Sequence, residues 1–294
     1  MMINNKLFKL GYSKLKLLVS YEQLKLLNSK IIDELNNPSS LMKATNLKKK
    51  NINKLVELSA IKKKPLIRLK NFYLTKKDYE KGFKFFSKRT NSVQIKDPLL
   101  KFEELNNVIF SDKIYSILKN YFGDDNFYFL YGAIRLHFDN DLPDIDYNFY
   151  HLDKTYNTSA RSKQIIKYSI PLTLGKRKKI IDCSEFSIVT KKIKHISDDL
   201  IDKLDYSKKK NLPYHLKKKI HQPKIKSGDC LFFDPVNFFH NASKPKKLRI
   251  VFYGVAGRKS NYIAKKTKLI KISSKITNQF NKKIKKFISL LRKV

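Results

Sequence analysis

The stretch IKSGDCLFFDPVNFFHNASKPKKLRIVFYGVAG, residues 225–257, decides how the rest of the chain is read. Its apolar runs are short, and they are punctuated by Ser227-Gly228-Asp229, Asp234-Pro235-Val236-Asn237 and Ser243-Lys244-Pro245. Glycine, proline and short polar side chains favour turns, so the pattern predicts three strands in close succession. His240 ends the second strand, and Arg249 stands nine residues later inside the apolar run LRIVFYGV of the third. A guanidinium in such a strand needs an anionic partner, because an unpaired buried charge is costly.

Upstream, the same aromatic and β-branched texture recurs. FYFLYGAIRLHF (127–138), YNFYHLD (147–153), KQIIKYSIPLTL (163–174) and CSEFSIVT (183–190) all read as strands. A helix is predicted after Ser111 over KIYSILKNYF, stopping at Gly123. In PLIRLKNFYLTKKDYEKGFKFF (65–86) a short extended segment leads to Thr75, which with Asp78 gives a helix-start signature. Near the N-terminus Leu15, Leu18, Tyr21, Leu24, Leu27, Ile31, Ile32 and Leu35 recur at helical spacing, and Asn36-Asn37-Pro38-Ser39-Ser40 separates them from a second helix reaching about Leu58. Residues 197–226 are rich in lysine and irregular, as an insertion or lid would be. The expected organisation is a helical extension over 1–64, a mainly β domain over 65–258 and a basic amphipathic helical tail over 259–294.

Charge is the most conspicuous feature of the composition. There are 64 basic and 25 acidic residues, a formal net charge of +39, yet only eight of the basic residues are arginine. Asn, Ile, Phe and Tyr are also abundant, with 8 Gly and no Trp, a bias that A/T-rich codons produce without any partner. A nucleic-acid-binding surface is expected to use more arginine for bidentate contacts, so nucleic acid is not the expected partner. No run of eighteen apolar residues is present, and no spanning helix is expected. The N-terminal MMINNKLFKLGYSKLKLLV is interrupted by lysines and lacks the apolar core of a signal peptide, which predicts a cytoplasmic protein. Cys183 and Cys230 are too few for a disulfide framework and read as inert buried thiols.

The chemistry concentrates in His151-Leu152-Asp153, which closes one of the strands. Side chains two residues apart on a strand leave by the same face, so this imidazole and carboxylate can reach one ion. With His240 they make two histidines and one carboxylate. That set holds Fe(II) on one face of an octahedron, needs no thiolate, and leaves positions open for reactants. Arg249 can clamp a carboxylate through two parallel hydrogen bonds, as lysine cannot.

This order of pieces resembles the phytanoyl-CoA dioxygenase family. His151-Leu152-Asp153 is followed by the strand KQIIKYSIPLT, by Gly228-Asp229-Cys230-Leu231-Phe232-Phe233, by His240 and by Arg249. The opening LIRLKNFYLTKKDYEKGFKFF is similar to the family's apolar strand and helix, so the resemblance runs from about Leu66 to Gly257. It implies a double-stranded β-helix, a jelly-roll, cupin-like barrel with helices packed outside. It also implies Fe(II) and 2-oxoglutarate as cofactors, with O2 hydroxylating a small substrate and leaving succinate and CO2. In that reading His151, Asp153 and His240 hold the metal and form the catalytic centre, while Arg249 binds the co-substrate. Arg135 and Tyr168, on neighbouring strands, are further candidates for the pocket wall. The lysines favour an anionic substrate. Two departures stand out. GKRKKIIDCSEF replaces the family's Gly-Ser-His signature, and Phe149-Tyr150 stands where a tryptophan often precedes H-x-D, so the substrate-side wall differs. The retained Asp153 speaks against a halogenase.

His137-Phe138-Asp139 is a second H-x-D, but a long acidic loop follows it, whereas a strand follows His151 after a short loop; His151 is preferred. That acidic loop, with Asp139, Asp141, Asp144 and Asp146, lacks the glycine and closing glutamate of an EF-hand and reads as solvated. His195, His215 and His221 lie in lysine-rich loops and receive no role. Two other functions stay open. A cupin-like metal isomerase or epimerase would bind metal and form no succinate. A non-catalytic basic protein on nucleic acid or anionic membrane, the latter through the basic tail, would bind polyanions in a salt-sensitive way that ignores His151 and His240.

Overall fold

The computed structural model of the chain describes residues 9–36, 87, 92–96, 98–100, 102–139, 150–153, 165–192, 212–243, 245–257 and 270–271. Its first half contains β1 (Tyr12–Leu15), α1 (Tyr21–Asn36), β2 (Ser92–Lys96), α2 (Glu103–Ile109), α3 (Asp112–Phe122) and β3 (Tyr128–His137). Then come β4 (Ile165–Pro171), β5 (Phe186–Val189), α4 (Tyr214–Lys217) and β6 (Ile220–His221). The stretch read first in the sequence gives three strands as expected, β7 (Cys230–Phe233), β8 (His240–Ala242) and β9 (Arg249–Gly257), and Ile270–Lys271 forms β10.

Seven strands make one antiparallel sheet in the order β1-β7-β4-β9-β3-β10, with β2 also on β3, and three make a second in the order β6-β5-β8. His151 bridges His240 and so extends the smaller sheet. From β3 onward the chain alternates between the two sheets: β3 in the large, His151 in the small, β4 large, β5 and β6 small, β7 large, β8 small, β9 large. That alternation winds the chain into a double-stranded β-helix.

Period-two side chains divide the large sheet into two faces. On the outer face Ile134, Leu136, Ile166, Tyr168, Ile170, Cys230, Phe232, Ile250 and Phe252 join the helices in the main core. The inner face presents Leu231 and Phe233, which meet Ile188, Ile225 and Phe238 between the sheets. From α3, Ile114, Ile117, Leu118, Tyr121 and Phe122 fill the outer layer. The helix ends where the sequence predicts, at Gly123, whose φ of 81° lets its N–H turn back to Lys119 O at 2.8 Å.

The N-terminal stretch departs from expectation. The helical spacing beginning at Leu15 becomes helix only from Tyr21, and Tyr12–Leu15 instead pairs with Phe233–Cys230 as the edge strand β1. Asp229 accepts the Leu17 N–H at 3.0 Å, and Gly228 O accepts the Val19 N–H at 3.0 Å, so the Ser-Gly-Asp turn captures these donors before a helix can. Ser20 and Gln23 then form a reciprocal capping box (Gln23 N–H to Ser20 Oγ 3.2 Å, Ser20 N–H to Gln23 Oε1 3.0 Å) that starts α1. Leu24, Leu27 and Ile31 bury the helix against the main core.

Other differences are local. The sequence patterns predict neither β2 nor α2, and α4 and β6 lie within the segment expected to be irregular. β10 pairs with Phe129 and Tyr128 where the basic tail reads as helical. The expected second helix reaching about Leu58, the segment 65–86, the acidic loop over 140–146, residues 197–211 and the tail from 258 onward apart from β10 lie outside the described residues. No helix among the described residues is long and apolar enough to cross a membrane.

Candidate metal centre

Two backbone hydrogen bonds bring the two distant motifs together. His151 N–H donates to His240 O and His240 N–H to His151 O, both at 3.1 Å, so the residues face each other and their rings sit 4.4 Å apart. Asp153 N–H donates to Pro235 O at 2.8 Å, which ties the end of H-x-D to the turn before β8. Asp234 builds that turn. Its carboxylate accepts from Val236 N–H, Asn237 N–H, Asn237 Nδ2 and the Tyr121 hydroxyl at 2.8–3.1 Å.

The result is a cluster in which one ligand atom each from His151, Asp153 and His240 lies within 4.8 Å of the others, the metal-capable group found among the described residues. Asp153 Oδ1 stands 3.7 Å from His151 Nε2 and 3.9 Å from His240 Nε2. His240 Nδ1 lies 3.2 Å from Phe238 O; as donor there it leaves Nε2 with its lone pair turned inward. Phe233 packs against the His240 ring at 5.0 Å and Phe186 at 6.2 Å.

Electrostatics suit a cation. Burial pushes the His240 imidazole down, and His151 and Lys167 add to this, leaving it at about 3 and therefore neutral, as a ligand must be. Burial would raise the Asp153 carboxyl, but Lys167 foremost, then His240 and His151, outweigh it and hold it at about 2. Two imidazoles and one carboxylate converging on one point fit Fe(II) or a similar divalent ion.

Arg249 begins β9 on the inner face and is 5% exposed. Its Nη1 donates to Ser243 O at 3.3 Å and pairs with Glu185 Oε2 at 3.3 Å. Nε and Nη2, which form the other edge of the guanidinium, are buried and have no hydrogen-bond partner among the described residues. A parallel pair of unmet N–H donors is the fork a carboxylate fills.

The remaining candidates separate by face. Arg135 shares the inner face with Arg249, in register with Val251, and lies over the Tyr253 ring at 5.6 Å. His137, the rival H-x-D histidine, is paired in register with Arg249 and lies outside the cluster. Tyr168 points the other way, into the main core against Phe232 and Phe252, and its ring fills the space above Gly254, where a Cβ would come within 2.4 Å of it. The structure does not bring Tyr168 to the cluster. Its neighbour Lys167 goes there instead, and its Nζ meets Asp153 Oδ2. Lys167 and Glu185 are the two residues that sequence reasoning missed. For Lys167 a signal existed, a lone cation in the apolar strand IIKYSIP, the same argument that singled out Arg249.

No protein-family model matches the chain, and no curated protein matches it in sequence. Solved structures share its fold. HygX from Streptomyces hygroscopicus with nickel, 2-oxoglutarate and hygromycin B bound superposes with a TM-score of 0.51 at 8% identity, over 87% of this chain and 86% of that one. HygX with nickel and 2-oxoglutarate gives 0.50 at 9% identity over the same shares. At these identities the likeness is one of fold.

Proposed function

We propose that this chain is an Fe(II)- and 2-oxoglutarate-dependent oxygenase that hydroxylates a small substrate, akin to the phytanoyl-CoA dioxygenase family. The observation that carries the reading is the convergence of His151, Asp153 and His240 inside a double-stranded β-helix that also buries the unmet edge of Arg249. HygX, which shares the fold, holds nickel and 2-oxoglutarate in its solved structures, and that supports a divalent metal beside 2-oxoglutarate here.

His151, Asp153 and His240 would hold the iron, and the Nε/Nη2 edge of Arg249 would take the far carboxylate of 2-oxoglutarate. When bound, the iron couples oxidative decarboxylation of 2-oxoglutarate by O2 to oxidation of a substrate C–H bond, with succinate and CO2 released. The chain's own contribution is positional. The Phe238 carbonyl orients His240, the Pro235 carbonyl fixes the Asp153 backbone, and Phe233 and Phe186 shield His240 from water. Arg135, half-buried on the inner face with no carboxylate partner among the described residues, favours an anionic substrate.

The test is anaerobic addition of Fe(II) and 2-oxoglutarate to purified protein, reading the visible metal-to-ligand charge-transfer band. The band is expected in the intact protein and in His137→Ala, and is expected to vanish in His151→Ala and His240→Ala. Its absence from the intact protein would sink the oxygenase reading and bring the isomerase and polyanion-binding readings forward.

A further inference from the structure

The two oxygens of Asp153 have different neighbours. Oδ1 faces His151 and His240 at 3.7 and 3.9 Å, while Oδ2 meets the ammonium of Lys167. Lys167 comes from the large sheet, opposite Phe233 in register, and Phe233 is the ring packed on His240. The ammonium therefore reaches the cluster from the sheet facing the one that carries His240. The Asp153 side chain is 10% exposed, so little water is at hand to replace the ammonium as its partner.

The geometry points to Lys167 as a positioning residue of the metal centre: by holding Oδ2 it commits Asp153 to ligate through Oδ1 alone. The inference rests on the function proposed above. A carboxylate free to turn can offer both oxygens to a cation and so take up a position that a keto acid or O2 needs. The contact is an ion pair, and a partner behind a ligand, charged or hydrogen-bonded, commonly sets the ligand's orientation in this way. The rival role is a bare counter-charge that neutralises Asp153 and repels a divalent ion. The two roles differ in sign when the lysine is removed. A lost positioning contact loosens metal binding and alters its geometry, whereas a lost counter-charge tightens binding and leaves the geometry alone.

The experiment titrates full-length protein with Co(II) alone and follows both affinity and the ligand-field absorption bands in wild type, K167M and K167R. The expected result is that K167M weakens Co(II) binding by about tenfold or more and changes the band pattern, and that K167R restores most of both. Tighter binding with unchanged bands in K167M, or no change in either, would overturn the inference. A metal-free melting curve reports whether K167M folds; if it does not, K167Q reads the same sign. Wild-type protein that binds no Co(II) would overturn the proposed function itself, an outcome distinct from any difference among the variants.

Discussion

Arg249 has more unmet hydrogen-bonding capacity than an ordinary buried side chain tolerates. Glu185 and Ser243 hold one nitrogen, and in doing so aim the other edge into the barrel. Arg249→Lys keeps the charge and loses the fork. A charge-assisted hydrogen bond contributes about 1.5–3 kcal/mol, so half-saturation of the charge-transfer band should need roughly tenfold or more 2-oxoglutarate, with metal affinity unchanged. An unaltered titration would remove Arg249 from the co-substrate site. Tyr168 gives the opposite expectation. Its hydroxyl is buried with no hydrogen-bond partner among the described residues, in the core on the far side of β4, so Tyr168→Phe should leave the same titration unchanged and stability neutral or improved. A shifted half-saturation in that variant would contradict the face assignment. Among the site residues, those legible in the sequence carried a polar group against an apolar background at a spacing that chemistry explains. Choosing between Lys167 and Tyr168 needed to know which face of β4 points inward: period two separates Ile165, Lys167 and Ser169 from Ile166, Tyr168 and Ile170, but only the packing shows which set faces the second sheet.

At the scale of elements, the Ser227-Gly228-Asp229 turn does more than separate two strands. Gly228 has φ 84°, and a Cβ there would lie 2.5 Å from Val19 O. Its N–H donates to Pro171 O at 2.8 Å and its O accepts from Val19, while Asp229 accepts from Leu17 and Lys226. One turn thus stitches β4, β7 and the start of α1 together. Gly228→Ala should cost about 1–3 kcal/mol from backbone strain, read as a lower midpoint in denaturant; a midpoint within error of wild type would show that the turn relaxes freely. The turn itself was legible, because Ser-Gly-Asp between apolar runs has few other uses. That it would draw Tyr12–Leu15 into the sheet was not, since helical spacing describes that segment equally well until the Asp229 and Gly228 acceptors are in place.

The molecule as a whole should respond to acid through its buried imidazoles. Burial, with Arg249 and Arg135 nearby, pushes His137 well below its ordinary value, and His240 is held at about 3. Both stay neutral in the fold while the unfolded chain takes up their protons below about pH 6.5. Unfolding then binds protons, and stability rises with pH across that window. The metal-free protein should therefore lose melting temperature as pH falls from 7 towards 4, and His137→Gln should flatten the slope. A melting temperature indifferent to pH in this range would show that these histidines are hydrated.

By itself the sequence determined the strand-forming texture, the helix ending at Gly123, the shared face of His151 and Asp153 within H-x-D and the presence of His240 and Arg249 in apolar strands. These follow from local periodicity, turn chemistry and the cost of placing a polar group in an apolar run. Only the tertiary structure decided that His151 and His240 would share a bridge across 89 positions of chain, that Lys167 rather than Tyr168 would reach Asp153, and that Glu185 would orient Arg249. Each of these depends on register between strands remote in sequence. A shift of one residue in that register turns every side chain to the other face, and no local pattern in the chain encodes it.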